Sequence, residues 1–210
     1  MNEPAWQPAY PSLLPPRKRH IGGKLWIPFA VLGALFAALL CAVVIRFFWT
    51  HPYSNLRAFR VPGGSMCPTI CPNERIIAAT DAYAKGDPSR GEVILFSVRQ
   101  QHAPFVRRVI GVAGDIVSPG PGKTLLVNGH KLEWPPVCAK PNSQAAATSE
   151  LQFAEVKVPS DSYFVVGDNL DNSLDTRTAG FGFVRREQVS GKALMIYWAP
   201  DSSRIGCDVK

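Results

Sequence analysis

From Leu25 to Ile45 the chain runs through twenty-one residues without a charge. At about 1.5 Å per residue, such a run makes a helix of roughly 31 Å, long enough to cross the hydrocarbon core of a bilayer. A buried core helix and a cleavable secretory leader compete with that reading. A leader's apolar region, however, runs only about 7–15 residues. Cys41 closes an Ala38-Leu39-Leu40-Cys41 run, but a lipoprotein cleavage site needs a small residue before the cysteine, and Leu40 is not small. The expectation is an uncleaved transmembrane anchor over residues 25–48.

The flanks of that segment set an orientation. Residues 1–24 carry Pro4, Pro8, Pro11, Pro15 and Pro16 and end in Arg17, Lys18, Arg19, His20 and Lys24, which reads as a disordered basic arm. Positive flanks stay in the cytoplasm, so the arm is expected there and the rest of this single-pass chain outside it. Arg46, Arg57 and Arg60 on the other flank are more spread out. The formal charge of +7 is thus partly the arm's. The remaining basic residues do not gather on an aromatic-lined patch, which argues against nucleic acid and leaves membrane lipid as the expected non-protein partner.

Residues 52–210 change character. Short apolar runs such as Val93–Phe96, Leu125–Val127 and Tyr163–Val166 are separated by turn formers at Arg90-Gly91, Asn128-Gly129, Pro159-Ser160-Asp161 and Gly167-Asp168. No stretch shows a helical stripe. A mostly β, antiparallel domain is predicted, with residues 134–154, rich in Pro, Ser and Ala, as a loop insertion. No P-loop, dinucleotide-binding or zinc-ribbon pattern occurs, so neither cofactor nor metal is expected.

The segment Val61-Pro62-Gly63-Gly64-Ser65-Met66-Cys67-Pro68 places two glycines before a serine. Glycines let backbone N–H groups approach a reacting carbonyl closely, and Pro68 restrains the loop behind. A Gly-Gly-Ser segment by itself equally makes a plain tight turn. An α/β-hydrolase elbow or a classical triad enzyme fits poorly, because a second glycine after the serine and a parallel βα alternation are both missing.

Three further segments follow in order: Arg90-Gly91-Glu92-Val93-Ile94-Leu95-Phe96, then Val106-Arg107-Arg108-Val109-Ile110-Gly111-Val112-Ala113-Gly114-Asp115, then Gly167-Asp168-Asn169-Leu170-Asp171-Asn172-Ser173-Leu174-Asp175-Thr176-Arg177. With the Ser65 segment they resemble the boxes of the type I signal peptidases, from about Pro62 to Trp198. The resemblance implies a membrane-bound serine endopeptidase that removes signal peptides from exported preproteins. Ser65 would be its nucleophile, Gly63 and Gly64 would shape the oxyanion site, and Ser173, Asp175 and Arg177 would be supports. Gly63 stands where some members carry a hydroxyl, and Leu170 where many carry Arg.

In that family a neutral lysine takes the serine's proton. This sequence has Arg107 at the lysine's place. Arginine keeps its proton under almost any protein condition, so the change retains charge and removes the base. Three outcomes stay open: an impaired relative that binds signal sequences or an envelope assembly, a base supplied by another residue, or Arg107 as charge stabiliser. Lys85, Lys123 and Lys192 are substitutes outside any box. His102 precedes Arg107 by five residues, an odd separation that puts the two on opposite faces of a strand. His51 and His130 have no motif around them.

Five cysteines occur, Cys41 in the apolar segment and Cys67, Cys71, Cys138 and Cys207 beyond it. In an extracytoplasmic domain four cysteines allow two disulfides in three pairings, of which Cys67 to Cys71 would lock the loop behind Ser65. The sequence leaves that pairing, and the oligomeric state, open.

Overall fold

The computed structural model describes residues 27–50, 54–98, 103–133 and 150–209. The chain divides into two units, residues 1–52 and 53–210. In the first, helix α1 spans Ile27–Thr50. Leu, Ala, Phe, Val and Ile line its whole circumference, and within it Phe29–Arg46 has the length and composition of a membrane span. Large apolar side chains there, Phe29, Leu32 and Phe36 among them, are exposed. A helix apolar all round needs an apolar surrounding, which a water-soluble surface does not give.

Among the described residues the second unit holds eleven strands, and every strand pairing there is antiparallel. They are β1 (Leu56–Arg60), β2 (Arg75–Ala79), β3 (Val93–Phe96), β4 (Phe105–Gly111), β5 (Ile116–Pro119), β6 (Leu125–Val127), β7 (His130–Lys131), β8 (Val156–Lys157), β9 (Ser162–Val166), β10 (Val184–Arg185) and β11 (Val189–Trp198). Seven form one sheet in the order β1-β2-β11-β3-β4-β9-β10, and four form another in the order β7-β6-β5-β8. The long strand β11 pairs with both β2 and β3 through irregular registers, and such bulges bend a sheet. The apolar runs at 93–96 and 125–127 are β3 and β6 themselves. The Asn128-Gly129 turn between β6 and β7 has φ of 52° and 79°, left-handed angles that Asn and Gly adopt at little cost.

Three apolar clusters hold these sheets. Met66, Ile70, Ile76, Val93, Leu95 and Ile196 belong to the first, Ile110, Val117, Leu125, Phe164 and Val166 to the second, and Ile94, Phe96, Val109 and Val165 to the third. Residues 134–149 of the expected insertion lie outside the described residues. Beyond them, Leu151 and Phe153 pack against the second cluster.

This topology places the chemistry. Strand β1 ends at Arg60 and runs straight into the Ser65 loop. Strand β4 carries two arginines between β3 and β9, with Ile94 opposite Arg107 and Val166 opposite Arg108. Because β9 ends at Val166, the Gly167–Arg177 segment begins beside β4.

Candidate active site

The Ser65 loop is built from its buried apolar residues outward. Met66 and Ile70 are buried in the first cluster, and the Ile70 amide donates to the Met66 carbonyl at 2.8 Å, closing one helical turn behind the serine. Cys67 and Cys71 are disulfide-bonded, with Cα atoms 4.5 Å apart. The buried Arg204 donates to the carbonyls of Pro68 at 3.1 Å and Thr69 at 2.9 Å and pairs with buried Glu74. Glu74 in turn accepts from the Cys71 amide at 2.7 Å. The loop is therefore held from both sides, which fixes the serine without any bond to its hydroxyl.

Ser65 is half-buried. Its Oγ accepts a hydrogen bond from Arg107 Nη1 at 2.8 Å. The Arg107 guanidinium, 5% exposed as a residue, also donates to the Val106 carbonyl at 2.6 Å and, through Nε and Nη2, to the Leu174 carbonyl at 3.1 and 2.7 Å. Its face lies 5.3 Å from the Phe105 ring centre. Burial pushes the guanidinium down from its ordinary value, while the charges of Asp175 and Asp168 push it up and that of Arg177 pushes it down. A group with so high an ordinary value stays protonated, so Arg107 donates to Ser65 and takes nothing from it.

The Gly167–Arg177 segment encloses the site. Asn169 donates from its amide to the Ser65 carbonyl at 3.0 Å and from Nδ2 to the Gly64 carbonyl at 3.2 Å. Asp175, fully buried, accepts from the Gly167 amide at 3.0 Å and from Arg177 Nε and Nη2 at 2.9 and 2.7 Å. Arg177 Nη1 reaches the Leu170 carbonyl at 2.9 Å. A Cβ at Gly167 would lie 2.3 Å from both the Ser65 carbonyl oxygen and Ser173 Oγ, so only glycine fits between them. On the other face of β4, buried Arg108 pairs with Asp168, Nε to Oδ1 at 2.8 Å and Nη2 to Oδ2 at 2.6 Å, and donates to the Gly91 carbonyl at 2.6 Å.

The structure thus brings Ser65, Arg107, Gly64, Ser173, Asp175 and Arg177 together. Ser173, expected as a support, has a buried Oγ without a hydrogen-bond partner among the described residues, and the guanidinium rests on the next residue's carbonyl, because arginine reaches further than lysine and presents a fork that one oxygen can bridge. Gly63 has open space where a Cβ would stand. Among the described residues none of the substitute bases is hydrogen-bonded to Ser65, whose hydroxyl meets Arg107. Lys192 pairs with Glu92 at 2.5 Å, Lys123 pairs with Asp171, Lys85 is exposed, and His130 lies exposed on β7. His51, His102 and Cys138 lie outside the described residues. Cys207 is buried and disulfide-bonded, whereas Cys41 is free.

Asn169, Arg108, Asp168, Glu74 and Arg204 also build the site, and none was singled out from the sequence as holding the loop. Alternation along β4 was a usable signal for Arg108, since neighbouring side chains on a strand face opposite ways. Glu74 and Arg204 are separated by 130 residues and had none.

An antiparallel β unit that holds one half-buried serine against a buried cation, on a loop braced by an acid-rich segment, is the class of architecture present. The particular family follows from comparison. The sequence matches the family described as signal peptidase, peptidase S26, over residues 28–198, and the chain belongs to that family. It is 35% identical to a signal peptidase I of Bacillus amyloliquefaciens over 167 residues, 79% of this chain and 85% of that one. It is 34% identical to a probable signal peptidase I-2 of Synechocystis over 170 residues, 78% of this chain and 70% of that one. A crystal structure of a signal peptidase I from Enterococcus faecalis V583 is 27% identical, with a TM-score of 0.41, and covers 50% of this chain and 96% of its own.

Proposed function

We propose that the chain is a membrane-anchored serine endopeptidase that removes signal peptides from preproteins, with Ser65 as nucleophile. The observation that supports this most is the 2.8 Å hydrogen bond from Arg107 Nη1 to Ser65 Oγ in a member of the signal peptidase family. The names of the relatives favour cleavage over a purely binding role. Helix α1 is the anchor, with the basic residues before it on the cytoplasmic side and the β unit outside.

The chemistry assigned to each group follows from what it can donate. Ser65 Oγ bonds to the scissile carbonyl carbon as the amine leaves, and water later cleaves the resulting ester to regenerate the hydroxyl. Arg107 stabilises the alkoxide by a charged hydrogen bond, roughly twice as strong as a neutral one. It cannot accept the proton, which passes to solvent hydroxide, while the leaving amine takes one from water. The Ser65 amide makes no hydrogen bond among the described residues and is the donor assigned here to the developing oxyanion, a role worth about 2.7–4 kcal/mol. Cleavage is therefore expected to rise with pH for as long as the fold persists.

The test is cleavage of a purified preprotein by the full chain in detergent, across a pH series, beside Ser65→Ala. Cleavage that increases with pH and vanishes in Ser65→Ala supports the reading. No cleavage by the native chain at any pH refutes it.

A further inference from the structure

The Cys67–Cys71 disulfide takes no part in the chemistry of Ser65, yet it begins two residues beyond that serine. Its cysteines have a sequence separation of 4, and so short a ring removes little freedom from the unfolded chain. The loop around it has supports of its own. Met66 and Ile70 are buried in the first apolar cluster, while Arg204 and Glu74 hold the carbonyls of Pro68 and Thr69 and the Cys71 amide. The fold as a whole therefore depends little on the bridge, and its effect is local.

Locally it joins the serine turn to a fixed anchor. The Cys67 amide donates to the Gly64 carbonyl at 3.2 Å, closing the turn that contains Ser65. Cys71 is tied at 2.7 Å to Glu74, which is buried and paired with buried Arg204. The sulfur–sulfur bond is the covalent strut between the two. It is also within reach of a reagent. Cys67 and Cys71 are both half-buried, whereas Cys207, likewise disulfide-bonded, is only 5% exposed. Beside Cys71 lies a cavity of about 200 Å³, walled by Pro68, Pro72 and Pro200. Exchange requires a thiolate to approach a disulfide sulfur, and exposed bridges are the labile ones.

We propose that the Cys67–Cys71 bond is a thiol–disulfide exchange site for an external dithiol, and that its reduction slows cleavage at Ser65. One thiolate of the dithiol attacks Cys71 Sγ, the sulfur–sulfur bond breaks, and Cys67 leaves as a thiolate that takes a proton. The second thiol then displaces Cys71 from the mixed disulfide. The loop gains two electrons and two protons, and the dithiol becomes a disulfide. With the strut gone, the Ser65 turn is no longer fixed to the Glu74 and Arg204 anchor, and the nucleophile loses its alignment with Arg107. The inference rests on the endopeptidase reading for the rate that it controls.

In the experiment the full chain in detergent is equilibrated with mixtures of reduced and oxidised dithiothreitol and then divided. One portion is alkylated with iodoacetamide and digested with trypsin, which reports the loop bridge in Val61–Arg75 and the Cys207 bridge in Ile205–Lys210. The others are assayed for preprotein cleavage and for thermal unfolding by circular dichroism. Val61–Arg75 should label at a reductant ratio roughly tenfold or more below the one that labels Ile205–Lys210. Over that range cleavage should fall roughly 10- to 100-fold, the scale of a displaced nucleophile, while the unfolding transition persists and reoxidation restores the rate. The double variant Cys67→Ser/Cys71→Ser should cleave at the reduced rate and ignore the reductant. Labelling of both fragments together, an unchanged rate once Val61–Arg75 is labelled, or loss of the unfolding transition at that point overturns the inference and leaves the endopeptidase standing. A reductant response that survives in the double variant does the same. No cleavage in any redox state removes the endopeptidase and its control together.

Discussion

Replacing Asp168 with alanine separates the frame of the site from its chemistry. The Arg108 side chain is 0% exposed and that of Asp168 is 2%, and the two meet through paired contacts at 2.8 and 2.6 Å. Removing one partner of a buried ion pair leaves an uncompensated charge and costs about 3–5 kcal/mol. For a domain of this size each kcal/mol moves the midpoint by roughly 2–4 °C, so Asp168→Ala should lower Tm by about 6–20 °C. Asn169 is the next residue and holds the carbonyls of Gly64 and Ser65, so preprotein cleavage should fall beyond what unfolding explains. Arg185→Ala is the control, because its pair with Glu187 is exposed on both sides, 58% and 69%, and such pairs contribute at most about 1 kcal/mol. The assay is thermal unfolding of the full chain in detergent, followed by circular dichroism, with cleavage rates measured below the transition. The double variant Arg108→Met/Asp168→Leu should recover most of the lost stability. An Asp168→Ala midpoint indistinguishable from that of Arg185→Ala would refute the assignment of Arg108 and Asp168 as the buried brace.

Arg107→Lys exchanges a permanent cation for an amine that burial can neutralise. Cleavage should rise by roughly 10²–10⁴-fold as a general base is restored, with some loss of thermal stability as the bonds to the Leu174 carbonyl go, and initial rates against pH decide it. Gly167→Ala puts a Cβ 2.3 Å from the Ser65 carbonyl oxygen. Moving the nucleophile by about 1 Å should cut the cleavage rate by roughly 10²-fold, and an unchanged rate would show that the loop yields freely. Burial tends to raise the Asp115 carboxyl, but hydrogen bonds from Arg90, the Val112 amide and Asn128 outweigh it and hold the group below its ordinary 3.8. The stability from a depressed carboxyl is present above that ordinary value and is lost as pH falls through the lower folded value. The Tm gap between the native chain and Asp115→Asn should accordingly narrow on acidification below about pH 3.8.

How much of this was legible depended on the range of the interaction. Short-range signals carried through: the uncharged run became α1, the apolar quartet at Val93 became β3, and Asn128-Gly129 became a tight turn, because each follows from local propensity and side-chain alternation. The Gly-Gly-Ser loop and the acid-rich segment were visible as motifs, and their meeting needed only the pairing of β4 with β9. The partners of Arg107 were not legible. Which carbonyl a long guanidinium reaches depends on how the chain folds back at Leu174, 67 residues away, and no periodicity encodes that. The same holds for Arg204, which ties the C-terminal turn to the Ser65 loop, and for Ser173, whose hydroxyl is stranded because arginine passes it by.

The most direct measurement of the central claim is to locate an acyl group on the chain. The full protein is incubated with a peptidyl p-nitrophenyl ester, quenched in acid and digested with trypsin, which releases Val61–Arg75 as one fragment containing Ser65, Thr69 and both cysteines of the loop disulfide. The account predicts a mass increase equal to the acyl group, assigned by fragmentation to Ser65 and absent from Ser65→Ala. An adduct at Thr69 or elsewhere, or none while the ester is consumed, would contradict it.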